Sequence, residues 1–231
     1  LTGEVVATDN GTIVSITQSP ASGTTIGLGT TVVTLTVTDD AGNSSTCTAN
    51  VVVDDTTDPV PDVATLPDVT GECSATIAAA PTATDNCAGS ITATTTDPLT
   101  YSTQGTYTVT WTYDDGNGNS ITQNQTVIVD DVTPPVPDAA TLADVTAECS
   151  VTTLAAPSAT DNCGGTVTVT NDATLPITAQ GTTVVEWTYT DENGNSTTQN
   201  QNVVIDDTTD PVPDVASLPD VTGECSATIA S

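Results

Sequence analysis

The chain contains no lysine, no arginine and no histidine, against 30 aspartates and glutamates in 231 residues, a formal net charge of −30. No carboxylate can therefore form a salt bridge with another side chain. Each must be solvated, hydrogen-bonded or neutralised by a bound cation, because isolated buried charge is prohibitively costly. Nucleic acid is excluded as a partner, since phosphate contacts need the basic residues that are missing, and an anionic membrane surface would repel the chain. Trypsin-type cleavage sites are absent for the same reason. Phenylalanine and methionine are also absent and tryptophan occurs twice, so any core is thin and of modest stability. No apolar run approaches the roughly 18 residues that span a bilayer, and Leu1 opens no signal peptide. Membrane insertion of this segment is not expected.

What is present is a repeat. Residues 54–78 read DDTTDPVPDVATLPDVTGECSATIA, and residues 206–230 read the same except that Ser217 replaces Thr65. A looser version starts at Asp130, so the spacing is 76 residues, twice. The register extends to the N-terminal stretch. Asp9, Asp85 and Asp161 form one series, Asp39, Asp115 and Asp191 a second, and Asn43, Asn119 and Asn195 a third. The organisation read from this is a partial module 1–53, full modules 54–129 and 130–205, and a partial module 206–231. Leu1 falls inside a module, so the sequence reads as an excerpt from something longer. Six cysteines in small modules point to an oxidising compartment, outside the cell or in a periplasm.

Inside a module the apolar period is 2. Residues 106–113 alternate strictly, with Tyr107, Val109, Trp111 and Tyr113 on one face and threonine on the other. Residues 182–189 repeat the pattern, and residues 31–38 repeat it with Leu35 in the Trp position. An Asp-Gly-Asn turn and a second β-branched run follow, which predicts a hairpin closing each module. With further short strands before it and no helical periodicity, the module reads as an all-β immunoglobulin-like sandwich. The prolines of the linkers (Pro59, Pro61, Pro134, Pro135, Pro137, Pro211, Pro213) favour stiff connections, hence a rod-like array.

Two constellations carry chemistry. Cys73 and Cys87 lie 14 residues apart, as do Cys149 and Cys163, so the simple reading is two intramodule disulfides. Zinc is the rival, with neither histidine nor CxxC to support it. A straight strand between the two cysteines would put them at opposite ends, so the pairing requires the segment through Pro81 or Pro157 to fold back. On the same spacing Cys225 would pair at position 239, outside this chain.

The acidic constellation is expected where the loop after the second strand and the last hairpin loop approach the linker. This gathers Asp54, Asp55, Asp58, Asp85 and Asp115, with Asp130, Asp131, Asp161 and Asp191 as counterparts. Carboxylates without a counter-charge suit a hard cation with oxygen ligands, Ca²⁺ above all, at module junctions. Asp115, Asn117 and Asn119 show the D-x-N-x-N spacing of a calcium loop, as do Asp191, Asn193 and Asn195, although Thr126 and Asn202 stand where its final Glu belongs. The plain alternative is that such clusters make turns, with Asp accepting backbone N–H groups. Asp58 becomes Pro134 in the next linker, so the junctions need not be equivalent.

Residues 80–87 (APTATDNC), the strand G-T-x-x-V-x-W-x-Y-x-D at 105–115, the GN that follows, and V-V-D-D-x-T-x-P at 52–59 resemble the hyalin (HYR) repeat. That is an immunoglobulin-like extracellular module found in tandem, including in giant surface adhesins of Bacteroidota that serve gliding motility. The resemblance implies adhesion or spacing outside the cell and brings no catalytic residues. It also implies that Cys47, at a position where hyalin repeats commonly carry a cysteine bonded to the first strand, pairs upstream of Leu1. The expected function is a stalk or filament segment of a secreted, surface-attached adhesin, not an enzyme. Its partners would be neighbouring modules of the same chain, with a surface or glycan target reached through a distal tip. The alternative is glycan binding by the modules' own loop ends, for which Tyr101 is the loop-placed aromatic, with Ile177 as its counterpart. Threonine ladders, N-x-S/T sequons at Asn10, Asn43, Asn124 and Asn195, and Asp-Thr-Thr at Asp55 and Asp207 are further, short features.

Overall fold

In the computed structural model, which describes residues 1–218 and 220–227, the chain divides into two compact units, Leu1–Asp130 and Asp131–Ser231. Residues 219 and 228–231 of the expected partial module 206–231 lie outside the described residues. The first unit begins with an antiparallel sheet of β1 (Ile13–Ser19), β2 (Gly29–Asp39) and β3 (Ser44–Val53), in which β2 is central. Val33 and Leu35 of β2 are its buried residues, at the positions the alternation assigns.

Residues 54–129 form β4 (Val60–Pro61), β5 (Val69–Gly71), β6 (Ala75–Thr76), β7 (Thr82–Asp85), β8 (Gly89–Thr92), β9 (Thr100–Tyr101), β10 (Gly105–Asp114) and β11 (Ser120–Val129). The hairpin β10–β11 pairs along ten residues, and β5 joins the far side of β11 in parallel, Val69 facing Val127. A second sheet runs β4-β7-β8, and β6 pairs with β9. The sheets enclose Val109, Trp111, Tyr113, Val127 and Val129, all 2% exposed or less. Alternation alone puts those side chains inside, as half-buried antiparallel strands require.

The second unit repeats this with β12 (Val136–Pro137), β13 (Val145–Ala147), β14 (Ala159–Thr160), β15 (Thr168–Asn171), β16 (Gly181–Thr190) and β17 (Ser196–Ile205). Here one sheet runs β13-β17-β16-β15 around Val185, Trp187, Tyr189, Val203 and Ile205. Among the described residues there is no α-helix, and no helix is long and apolar enough to cross a membrane.

Each core has a polar clamp that alternation does not reveal. The Trp111 indole N–H donates to Gln125 Oε1 (3.0 Å) and the Tyr113 hydroxyl to Gln123 Oε1 (2.7 Å). The Gln125 amide then donates to the Pro67 carbonyl (3.0 Å), and that of Gln123 to the carbonyls of Val63 and Ala64. Gln201 and Gln199 do the same for Trp187 and Tyr189, reaching Ala143 and Ala139. Buried indole and phenol groups need partners, and the glutamines use that need to hold the segment leading into each sandwich against its last strand.

The disulfide expectation is corrected here. Cys73 is disulfide-bonded, as is Cys163 in the second unit, whereas Cys87 and Cys149 are free thiols, so neither 14-residue pairing forms. The cause is strand length. Cys73 follows Gly71, whose carbonyl accepts from Asp130 N at the end of β11. Cys87 caps Asp85 beside the β10–β11 turn, at the other end of that ten-residue strand. At about 3.3 Å per residue the two ends lie roughly 30 Å apart, and a disulfide needs Cα atoms within about 7 Å. Cys149 and Cys163 occupy the corresponding ends in the second unit. Cys47 and Cys225 are free thiols.

Surface carboxylates give the fold a defined acid sensitivity. The Thr82 and Thr84 hydroxyls donate to Asp62 and hold its carboxyl below the usual range, outweighing burial; Ser158 and Thr160 do so for Asp138. A carboxyl with a depressed folded-state pKa stabilises the fold fully above its unfolded pKa, near 3.9, and that contribution vanishes as pH falls through the folded value. Melting between pH 6 and 2 is expected to show a steeper loss below about pH 4 in the native chain than in Asp62→Asn, and equal slopes would refute the assignment.

Candidate metal centre

Asp55 follows β3 in the linker, Asp85 ends β7, and Asp115 begins the β10–β11 turn. Their carboxylate oxygens all lie within 4.8 Å of one another. Asp85 and Asp115 are buried and Asp55 is half-buried. No side chain in the sequence can offer a counter-charge.

Hydrogen bonds account for most of these oxygens. Asp115 Oδ1 accepts the backbone N–H groups of Asn117 (2.7 Å), Gly118 and Asn119 (both 3.1 Å), and Oδ2 accepts the Asn119 amide (2.7 Å). Burial pushes the Asp115 carboxyl up, but these donors, the Asn119 side chain foremost, outweigh it and hold the group below the usual range. Asp55 accepts from Thr57 N and the Asn117 amide, and its carbonyl accepts from Asn119. Asp85 Oδ1 accepts from Cys87 N and Ala88 N, both at 2.8 Å. Asp85 Oδ2 is different: it is buried and has no hydrogen-bond partner. A buried carboxylate oxygen left unpaired costs free energy unless a cation meets it, and this one sits among two further carboxylates.

The second unit reproduces the arrangement with one change. Asp161 Oδ2 accepts Cys163 N (2.7 Å), while Asp161 Oδ1 is buried without a partner. Asp191 accepts backbone N–H from Asn193 and Asn195 and the Asn195 amide, and Asn195 also reaches the Asp131 carbonyl (2.9 Å). The ligand atoms within 4.8 Å are those of Asp131, Asp161 and Cys163, not Asp191. Because Cys163 is disulfide-bonded, its sulfur is no thiolate ligand, which leaves two carboxylates.

Of the residues expected from sequence, Asp55, Asp85 and Asp115 come together, as do Asp131 and Asp161. Asp54, Asp58 and Asp130 are exposed and outside either group. The D-x-N-x-N spacing folds as a turn in which Asp115 accepts the loop's own N–H groups, so Asn117 and Asn119 act as donors that orient carboxylates. Asn193 and Asn195 do likewise. The asparagine amides donate, as a turn requires, and the unpaired Asp85 oxygen adds what a turn does not need. Asn195 has its amide engaged twice, so its sequon lacks a free nitrogen. Tyr101 is half-buried and stacks on Tyr107 with ring centroids 4.3 Å apart, so it forms no exposed platform.

Residues 2–53 match the model of the HYR domain, and residues 132–205 match that of the HYR-like domain with 4 cysteines. The chain carries HYR-type repeats. Among curated proteins nothing matches. Solved structures similar to the HYR-bearing chain include an endo-fucoidan hydrolase of glycoside hydrolase family 107 (14% identity, 77% of this chain and 34% of that one, TM-score 0.24). The human desmocollin-1 ectodomain is another (11% identity, 82% and 53%, TM-score 0.25), as is protocadherin gamma C5 EC1-3 (15% identity, 76% and 77%, TM-score 0.32). Scores this low carry no argument about the HYR repeats. The chain spans about a third of the first structure's length and about half of the second's.

Proposed function

We propose that these HYR repeats form a stalk or filament segment of an extracellular, surface-attached adhesin, spacing and displaying a distal tip, with Ca²⁺ bound once per module. The repeats are of an extracellular, adhesion-type class. The observation that supports a spacing role is that a carboxylate group with an unpaired buried oxygen recurs at the same place in residues 54–129 and in the second unit, where the chain enters each sandwich. An architectural joint repeats in this way, whereas a catalytic or recognition site is needed once.

The residues fit a hard cation. Asp55, Asp85 and Asp115 supply anionic oxygens, and carboxylates with backbone carbonyls and water are the ligands that Ca²⁺ takes. The ion would supply charge neutralisation, tying the residues that precede a module to that module's own loops. Asp131 and Asp161 offer the same with fewer protein ligands, so the second site is expected to be the weaker one.

Spacing and recognition are separated by a glycan array probed with the full chain. A stalk predicts signals at background with and without Ca²⁺. Saturable binding to one glycan class, lost on substitution of a loop residue, would replace this reading with the ligand-binding one.

A further inference from the structure

We propose that Asn117 is a site of spontaneous deamidation, which sets a further carboxylate beside the group formed by Asp55, Asp85 and Asp115. Asn117 and Gly118 stand in the β10–β11 turn, and Asn193 and Gly194 stand at the same place in the second unit. In such a pair the glycine nitrogen attacks the asparagine Cγ. The new N–Cγ bond closes a five-membered succinimide, the Cγ–Nδ2 bond breaks, and ammonia leaves with the proton of the attacking nitrogen. Water then opens the ring at either carbonyl, giving aspartate or isoaspartate, in which the main chain runs through the side chain. Water is consumed and ammonia released, so neither an enzyme nor an oxidant is required.

The turn leaves this step open. Asn117 is exposed, and its amide donates one long hydrogen bond, 3.3 Å to Asp55 Oδ2. Asn119 is half-buried by contrast, and its amide donates both to Asp115 Oδ2 and to the Asp55 carbonyl. At Gly118 φ is +114°, a conformation that L side chains avoid, so the turn itself demands the glycine that makes the pair reactive. A Cβ there would meet nothing within 4 Å, so no neighbour crowds the closing ring. The turn does not demand asparagine at 117. In the first repeat Ala41 holds that place before Gly42, whose φ is +88°, and Asp39 still accepts the Asn43 backbone N–H and amide as Asp115 accepts those of Asn119. Asn117 stands against Asp55 instead. Conversion replaces a donor to that carboxylate with an anionic oxygen, while Asp85 Oδ2 already lies buried without a partner in the same group, so the demand for a cation rises. This last consequence rests on the Ca²⁺ reading proposed above; the modification itself does not. Asn193, exposed before Gly194 at φ +94°, shares the chemistry.

The test ages the folded full chain for weeks at mildly alkaline pH and physiological temperature, digests it with pepsin, and scores each asparagine by tandem mass spectrometry. Asn117 and Asn193 are expected to become aspartate and isoaspartate, while Asn43, Asn119 and Asn195, engaged in hydrogen bonds and each followed by serine, keep their amides. Scoring by residue sets aside Asn10-Gly11, the third such pair in the sequence. An Asn117 that stays an amide, or converts no faster than Asn119, would overturn the proposal. Calorimetric titration with Ca²⁺ then compares the native chain with Asn117→Asp. The variant is expected to bind roughly tenfold more tightly at the stronger site, the order that one solvent-screened carboxylate adds beside a divalent ion. Equal affinity would overturn the link to the cation. Absence of Ca²⁺ binding by both chains would remove the metal reading and that link together, and the mass measurement would still decide the modification.

Discussion

Replacing Trp111 by Ala is expected to unfold residues 54–129 at far lower denaturant than in the native chain, while the second unit melts unchanged. Truncation of a buried Trp costs about 3–5 kcal/mol. A module of this size has roughly 4–11 kcal/mol in total, at the usual 0.05–0.15 kcal/mol per residue. The core offers no reserve, since Trp111 and Tyr113 are its large buried side chains and no Phe or Met supplements them. The loss extends beyond volume. Gln125 Oε1 accepts the indole N–H, so its removal leaves a buried acceptor unpaired and loosens the glutamine that holds the Pro67 carbonyl. The chain has two tryptophans, so in this variant fluorescence reports only Trp187, in the core of the second unit. Guanidinium unfolding followed by circular dichroism and by fluorescence separates the two: the first transition moves, the second does not. A Trp187 transition displaced as far as the first would show that the units do not fold independently.

Calcium is expected to raise the melting temperature, and Asp85→Asn combined with Asp161→Asn to abolish the increase. At free Ca²⁺ 100-fold above Kd, linkage adds about 2.7 kcal/mol, which moves Tm by about 10–20 °C for a domain of this size. Asparagine is chosen because its Oδ1 still accepts the N–H groups of Cys87 and Ala88, so the turn survives while the charge and the unpaired anionic oxygen go. In chelator the variant is therefore expected to melt no lower than the native chain, since three mutually close carboxylates without a counter-charge repel one another. Differential scanning calorimetry in excess Ca²⁺ and in chelator gives the comparison. A native Tm indifferent to Ca²⁺, or a shift that persists in the double variant, would remove the metal from the proposal and leave the acidic groups as turn formers.

The sequence by itself determined what is local or strictly periodic. The 76-residue register is a matter of counting, and the alternation of Tyr107, Val109, Trp111 and Tyr113 dictates which face of β10 goes inside, because side chains on a strand have a period of 2. The absence of basic residues already required every carboxylate to find water, an N–H group or a cation. Asp55, Asp85 and Asp115 were legible as a cluster because each lies at a strand end next to turn residues, where hairpin geometry carries loops to the same end.

Tertiary structure decided what depends on which ends meet. Cysteines 14 apart looked close enough to pair, but Cys73 and Cys87 belong to opposite ends of a module crossed by a ten-residue strand, and separation along the chain does not measure that distance. The same holds for Tyr101, a loop aromatic by sequence that the β6–β9 pairing sets against Tyr107. It holds too for Asn117 and Asn119, whose amides donate toward Asp55 and Asp115, partners that the D-x-N-x-N spacing alone does not specify. The role of β5 was equally invisible, since three residues carry no measurable period. Its parallel partner β11 lies almost 60 residues on, and only the folded chain shows that the Val-Thr-Gly of one repeat closes the edge of the last strand.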